Sequence, residues 1–165
     1  MKILIAGVGN VLRGDDGFGV RVAQTLNRSN SFPVEVKVFE AGIAGIPLVH
    51  ELMDEYDALI ICDAIERGGA PGTVYVIEPE IADASMLDPA AIHASLADAH
   101  YTEPSKVLVL AKALDVLPAQ VFVVGCQPAG YDELGAELSD EVRSAVQIAI
   151  SRIESLVETL HQEIA

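Results

Sequence analysis

Positive charge is scarce in this chain: 10 Lys and Arg stand against 25 Asp and Glu among 165 residues, a formal net charge of −15. Nucleic acids and anionic membranes are held by clustered cations, so neither is an expected partner, whereas a cationic ligand or a basic protein segment suits the balance. Cysteine is scarce as well. Cys62 and Cys126 each lie in or just after a strongly apolar run, and no CxxC occurs. The expectation is two buried, reduced thiols in a reducing compartment rather than a disulfide or a thiolate site. No apolar run approaches the ~20 residues of a spanning helix, and Met1-Lys2 followed by four apolar residues is too short for a secretory signal. The expected location is therefore the cytoplasm, without membrane insertion. Missing too are a serine nucleophile elbow, an HExxH pattern and a papain-like cysteine signature.

What is present describes a folded enzyme-like chain. An apolar fraction of 51% with 21% charged residues fits a globular protein, and no linker, repeat or low-complexity tract divides residues 1–165. A single domain with a substantial core is expected. Its most informative stretch is the opening, MKILIAGVGNVLRGDDGFGV. Ile3 to Ala6 reads as a buried strand that stops at Gly7, Gly9 and Asn10, residues suited to tight or left-handed backbone. The turn presents Asp15 and Asp16 just before a segment with helical spacing at Phe18, Val22 and Leu26. A dinucleotide fingerprint needs a third glycine where Leu12 stands, and a phosphate loop needs a lysine that is absent. Adjacent acids repel a pyrophosphate and attract a cation. One acid of the pair can accept the unpaired N–H groups at the helix start. Two in a row cannot make the same bond, so the other is free for a charge-dependent role.

Along the rest of the chain, strands alternate with helices. Gly17 to about Arg28 is a predicted helix, Val34–Phe39 an alternating edge strand, Glu40–Gly45 a glycine-spaced turn, and Pro47 to Met53 a second helix. Asp57–Asp63 is a continuous apolar run closed by an acid, the pattern of a central strand buried on both faces. Thr73–Ile77 and Val121–Val124 are further strands. Pro104 opens a helix, and Ser139 caps a long final one with apolar residues at Val142, Val146, Ala149, Ile153, Leu156 and Leu160. This is an α/β pattern: a three-layer α/β/α domain with a mainly parallel, roughly five-stranded twisted sheet.

In such sheets, ligands bind beyond the carboxyl ends of the strands, where the strand order reverses. The turn after the first strand carries Asp16 and the third strand ends at Asp63, so both carboxylates can stand at one rim. An aspartate ending a buried strand is costly without a donor, a counter-ion or a metal. Its structural alternative is pairing with backbone amides of the next turn. A second acid at the same rim favours a metal or a proton-sharing pair. Of the histidines, His50 falls in a predicted helix and His161 in the last turns of another, while spacing alone does not choose between His93 and His100.

Three stretches together, GVGNVLRGDDGFGV, LIICDAIERGGAPGTV and HYTEPSKVLVLAKAL followed by VFVVGCQPAG, resemble the hydrogenase maturation endopeptidases over essentially the whole chain. The resemblance implies a protease that removes a C-terminal peptide from the precursor of the large subunit of nickel–iron hydrogenase after nickel insertion. It further implies three metal-binding and catalytic residues, which fall on Asp16, Asp63 and His100. His93 is the second choice, since the spacing of His100 to Pro104, Pro118 and the GCQP stretch matches the family. Asp15 is then left as the helix cap. Two oxygens and one imidazole make an open ligand set for a borderline divalent ion. Nickel carried by the precursor is the implied recognition device. Water activation by the carboxylates directly, or by metal with a carboxylate as base, are both open at this point. So are two other functions on this fold: a nickel-recognising chaperone without hydrolysis, and another peptidase or amidase using the two aspartates.

Overall fold

β1, Ile3–Val8, is buried along its whole length. In the computed structural model, which describes residues 1–43, 45–83, 104–130, 135 and 137–162, it lies between β2 (Val36–Gly42) and β3 (Ala58–Ala64), parallel to both. β5 (Gln120–Cys126) extends the parallel sheet beside β3, and β4 (Val74–Ile77) closes the edge antiparallel to β5. The order is β2-β1-β3-β5-β4. The five-stranded, mainly parallel sheet is as the sequence pattern predicts.

Alternation along the strands sorts the core into two layers. Ile3 and Ile5 of β1 and Ile60 and Cys62 of β3 face one side with Phe18, Val22 and Leu26 of α1 (Phe18–Ser29) and Val142, Ala149 and Ile153 of α4 (Asp140–Gln162). Leu4, Ala6, Leu59 and Ile61 face the other side. There they meet Leu48 and Leu52 of α2 (Gly45–Leu52) and Val107, Leu108 and Ala111 of α3 (Pro104–Ala113). Both faces of β3 are therefore covered, which is why its sequence is a continuous apolar run rather than an alternating one. The chain leaves β1 towards β2 and returns to β3 on the opposite side. Right-handed crossovers then place α1 and α2 on opposite faces and open a crevice beyond the carboxyl ends of β1 and β3.

Helix α1 reaches that crevice through two glycines. A Cβ on Gly19 would strike the carbonyl oxygens of Cys62 and Val8, and one on Gly7 would strike Gly19 and the Ala23 side chain. The first turn of α1 thus sits directly on the seam between β1 and β3.

Two element boundaries differ from the pattern-based expectation. β2 begins at Val36 and runs through Glu40, Ala41 and Gly42, where the sequence reads as a turn. Val36 N–H closes a turn on Pro33, and at the far end Gly9 N–H donates to the Gly42 carbonyl at 3.0 Å, so β1 continues to pair beyond Phe39. A register shift between Gly7 and Val8 absorbs the extra residue. α2 starts at Gly45, which puts Pro47 within the first turn, where its missing N–H costs nothing. Ser139 does precede the final helix, with its hydroxyl accepting the Val142 N–H at 3.4 Å. Among the described residues, no helix is long and apolar enough to cross a membrane.

Because both atoms opposing a Gly19 side chain are backbone, Gly19→Ala is expected to lower stability by about 1–3 kcal/mol. Chemical denaturation of the two proteins measures the difference.

Candidate functional site

The turn leaving β1 is built to present Asp16. Gly9 has φ +125°, and a Cβ there would strike the Asp16 carbonyl oxygen, so only glycine fits. Asn10 shapes the turn: its Oδ1 accepts the Leu12 N–H at 2.9 Å and its carbonyl accepts the Arg13 N–H at 3.0 Å. A short 3₁₀ turn, Gly14–Gly17, follows before α1 begins. Asp16 is half-buried, and its Oδ2 accepts the Asn10 N–H at 3.0 Å.

Asp63 enters from the neighbouring strand. It stands near the end of β3 at 7% exposure, opposite Gly125 of β5. Its Oδ1 lies 3.8 Å from the position a Gly9 side chain would take, so Gly9 separates the two acids. Oδ1 accepts one hydrogen bond, from the Ala64 N–H at 2.9 Å. Burial, and after it the charge of Asp16, push the Asp63 carboxyl up to about 7, with the Ala64 bond opposing. The sequence allowed a purely structural Asp63, paired with amides of the next turn. One amide is present, and burial together with the neighbouring charge outweighs it.

Asp15 contradicts its expected role. It does not cap α1: Gly17 holds the N-cap position, and no side chain bonds there. Asp15 is 2% exposed and turned inward. Its Oδ1 accepts the Ser139 N–H at 2.7 Å, and its Oδ2 accepts Ala129 N–H at 2.8 Å, Ser139 Oγ–H at 3.0 Å and Gly130 N–H at 3.4 Å. The physical reason is that Asp15 lies within the 3₁₀ turn that precedes the helix and finds its donors on distant segments, at Ala129 and Ser139. The turn leaves Asp15 facing the exit of β5 and the start of α4.

Gln127 is a residue the sequence reading did not single out for any role. Buried just after β5, it accepts the Arg67 and Gly69 N–H groups on Oε1 at 2.8 and 3.2 Å and donates from Nε2 to Glu66 at 2.8 Å. It thereby ties down the loop that follows Asp63. Its only signal in the sequence is a polar residue at the end of an apolar strand.

Cys62 and Cys126 are buried free thiols, as expected. Burial, with the charge of Asp63 second, drives the Cys62 thiol far up, and burial with Asp15 second pushes Cys126 to about 11. Neither is a nucleophile at neutral pH. His50 is exposed on α2, and His161 Nε2 lies 3.4 Å from the Met1 carbonyl, remote from the acids in the sheet. His100 and His93 both fall outside the described residues. Among the described residues, no group of three or more His, Cys, Asp or Glu could hold a metal. What they supply is a pair of carboxylates at the switch point. That donor set suits a divalent cation: both are hard oxygen donors, and the charge of Asp16, which adds to burial in raising Asp63, is one that a cation would offset.

Residues 20–156 match the profile of the hydrogenase maturation proteases. The chain belongs to that family. It is 36% identical over 150 residues to the hydrogenase expression/formation protein HupM of Azotobacter chroococcum mcd 1, covering 91% of this chain and 68% of that one. Among solved structures it is similar to the hydrogenase 2 maturation peptidase of Thaumarchaeota archaeon SCGC_AB-539-E09, with 34% identity, a TM-score of 0.70 and coverage of 96% and 99% of the two chains. It is also similar to the hydrogenase maturating endopeptidase HybD of E. coli, with 27% identity, a TM-score of 0.72 and coverage of 96% and 94%. The family resemblance read from three sequence stretches is thus borne out.

In this maturation protease, the Asp63 environment predicts an unusual pH dependence. A carboxyl raised from 3.8 to about 7 binds its proton in the folded state while the unfolded chain has already lost it. Its contribution is present below the unfolded value and is lost as the pH rises towards 7. Asp63→Asn removes this term. Thermal melts from pH 4 to 8 are expected to show a shallower fall in stability for Asp63→Asn than for the native chain, and parallel curves would refute the assignment.

Proposed function

We propose that residues 1–165 act as one endopeptidase domain that removes a C-terminal peptide from the nickel-loaded precursor of a nickel–iron hydrogenase large subunit. The reading is carried by one observation: in a chain of the maturation-protease family, a carboxylate in the turn after β1 and a buried one at the end of β3 stand close enough at the sheet's switch point to interact. Asp16 and Asp63 supply oxygen donors to nickel that belongs to the precursor, and His100 supplies the nitrogen. The metal is then part of the substrate, and a metal-free precursor lacks the group that aligns its scissile bond. The cytoplasm is the setting, which also keeps Cys62 and Cys126 reduced.

The hydrolytic chemistry falls to the same pair. An oxygen of the pair left free by the nickel can take a proton from the attacking water and return it to the departing amine, either directly or with the metal polarising the carbonyl. Asp16 keeps Asp63 basic through its charge, and its own oxygen is held in place by Asn10 N–H. In this type of sheet, ligands bind beyond the carboxyl ends of the strands, where both acids stand.

Incubation of the purified chain with nickel-loaded and with metal-free precursor, followed by intact-mass measurement, tests this. Shortening at the C-terminus of the loaded form alone is expected, and Asp16→Asn or Asp63→Asn should slow it by about 100-fold or more. Equal cleavage of both precursors, or of neither, refutes it. A crystal soaked with nickel or cadmium checks the third ligand: an anomalous peak touching Asp16, Asp63 and His100 is expected, and one held by His93 overturns that assignment.

A further inference from the structure

Among the described residues, three polar side chains are buried: Asp15, Asp63 and Gln127. Asp63 belongs to the proposed site, and the chemistry above uses neither of the others. Both are tied to one short segment, the exit of β5: Gln127 stands in it, and Asp15 accepts from it. Gln127 is its first residue, and Ala129 and Gly130 donate to Asp15. From Gln127 the connection continues to the loop after Asp63 through Glu66, Arg67 and Gly69. From Asp15 it continues along one peptide bond to Asp16. The β5 exit is therefore a strap between the turn that bears Asp16 and the loop that follows Asp63.

Among the described residues, the Asp16 side chain makes no hydrogen bond to the β3 side of the site. Its hydrogen bond is to Asn10 N–H, within the same turn, and would move with that turn. Besides its start, where Gly9 N–H is paired to the Gly42 carbonyl, the turn is tied to distant parts of the chain near Asp16 by Asp15, with Ser139 N–H and Oγ–H at 2.7 and 3.0 Å and Ala129 N–H at 2.8 Å. Further back, Gly135 N–H donates to the Leu12 carbonyl at 2.7 Å. We propose that Asp15 is a positioning residue: its grip on the β5 exit and on the start of α4 sets the separation of Asp16 and Asp63, and so the geometry with which the pair meets a divalent cation. The proposal rests on the reading of Asp16 and Asp63 as the metal pair. An asparagine at 15 keeps the size but has one acceptor oxygen for donors that now face two, so its amide would confront an N–H group and push the turn away.

The test titrates cadmium and nickel into the purified full chain by calorimetry, for the native protein, Asp15→Asn, Ser139→Ala and Asp16→Asn, with melting curves and precursor kinetics alongside. Loss of a residue that orients a metal ligand weakens binding by about 10-fold or more, and that is expected for Asp15→Asn. For the nickel-loaded precursor its KM should rise in step with the weakened cation binding. Ser139→Ala, which removes one donor and leaves the carboxylate, should weaken binding less and in the same direction. A lower melting temperature with native affinity means that Asp15 only stabilises the fold, and overturns the proposal. If Asp15→Asn does not fold, Ser139→Ala decides: native affinity there overturns it, and weakened affinity supports it. Asp16→Asn separates the two levels. Abolished binding in that variant with native binding in the other two refutes the positioning role alone, whereas native binding in Asp16→Asn refutes the metal pair itself.

Discussion

The burial of Asp63 governs the rest of this structure. A carboxylate carried at the end of a strand whose preceding residues are all apolar is taken out of water by the fold itself, and a low-dielectric setting penalises its charge. One backbone amide answers it, from Ala64. The fold then sets a second carboxylate against it across Gly9 and holds that acid in a turn of its own. Two acids so placed are balanced by a proton or by a cation. This couples the architecture to the site: the central position of β3, needed to bury its apolar run, is also what takes Asp63 out of water and raises its affinity for a proton.

The seam between β1 and β3 makes the pairing possible. Parallel strands at a switch point send their exits in the same direction, so the turn after β1 and the end of β3 share a rim. Gly19 lets α1 start against that rim, and the 3₁₀ turn fills the short distance between the strand and the helix. A side chain at Gly19 would lift the helix, and with it the turn that bears Asp16.

Much of this was legible in the sequence because it depends on local pattern. The continuous run from Ala58 to Cys62 identified a strand covered on both sides, and the glycine turn followed by two acids marked the rim. Features that depend on distant partners were not legible. An acid before a helix has the same local signature whether it caps that helix or turns inward, and what turns Asp15 inward is Ser139, 124 positions away. Gln127 finds its partners 58 to 61 positions away, in a loop whose own composition gives no hint of them. The end of β2 was misread for a similar reason. Glu40-Ala41-Gly42 has turn composition, but β1 continues to offer it hydrogen bonds. The direction of β4 was equally hidden, since the alternation of four residues is the same read either way.

The two buried aspartates show how one residue type takes opposite roles. Asp15 meets donors on both oxygens, from Ala129, Gly130 and Ser139, and bonds of this kind to a charged group contribute about 1.5–3 kcal/mol each. Those backbone N–H groups would be costly to bury without an acceptor, and no neutral side chain of this size offers two acceptor oxygens. Asp63 has one donor and an acidic neighbour. The carboxylate with its acceptors satisfied can do little but hold structure, and the one left short of donors retains its affinity for a proton or a cation. Donor count, rather than burial, therefore separates the anchor from the reactive group.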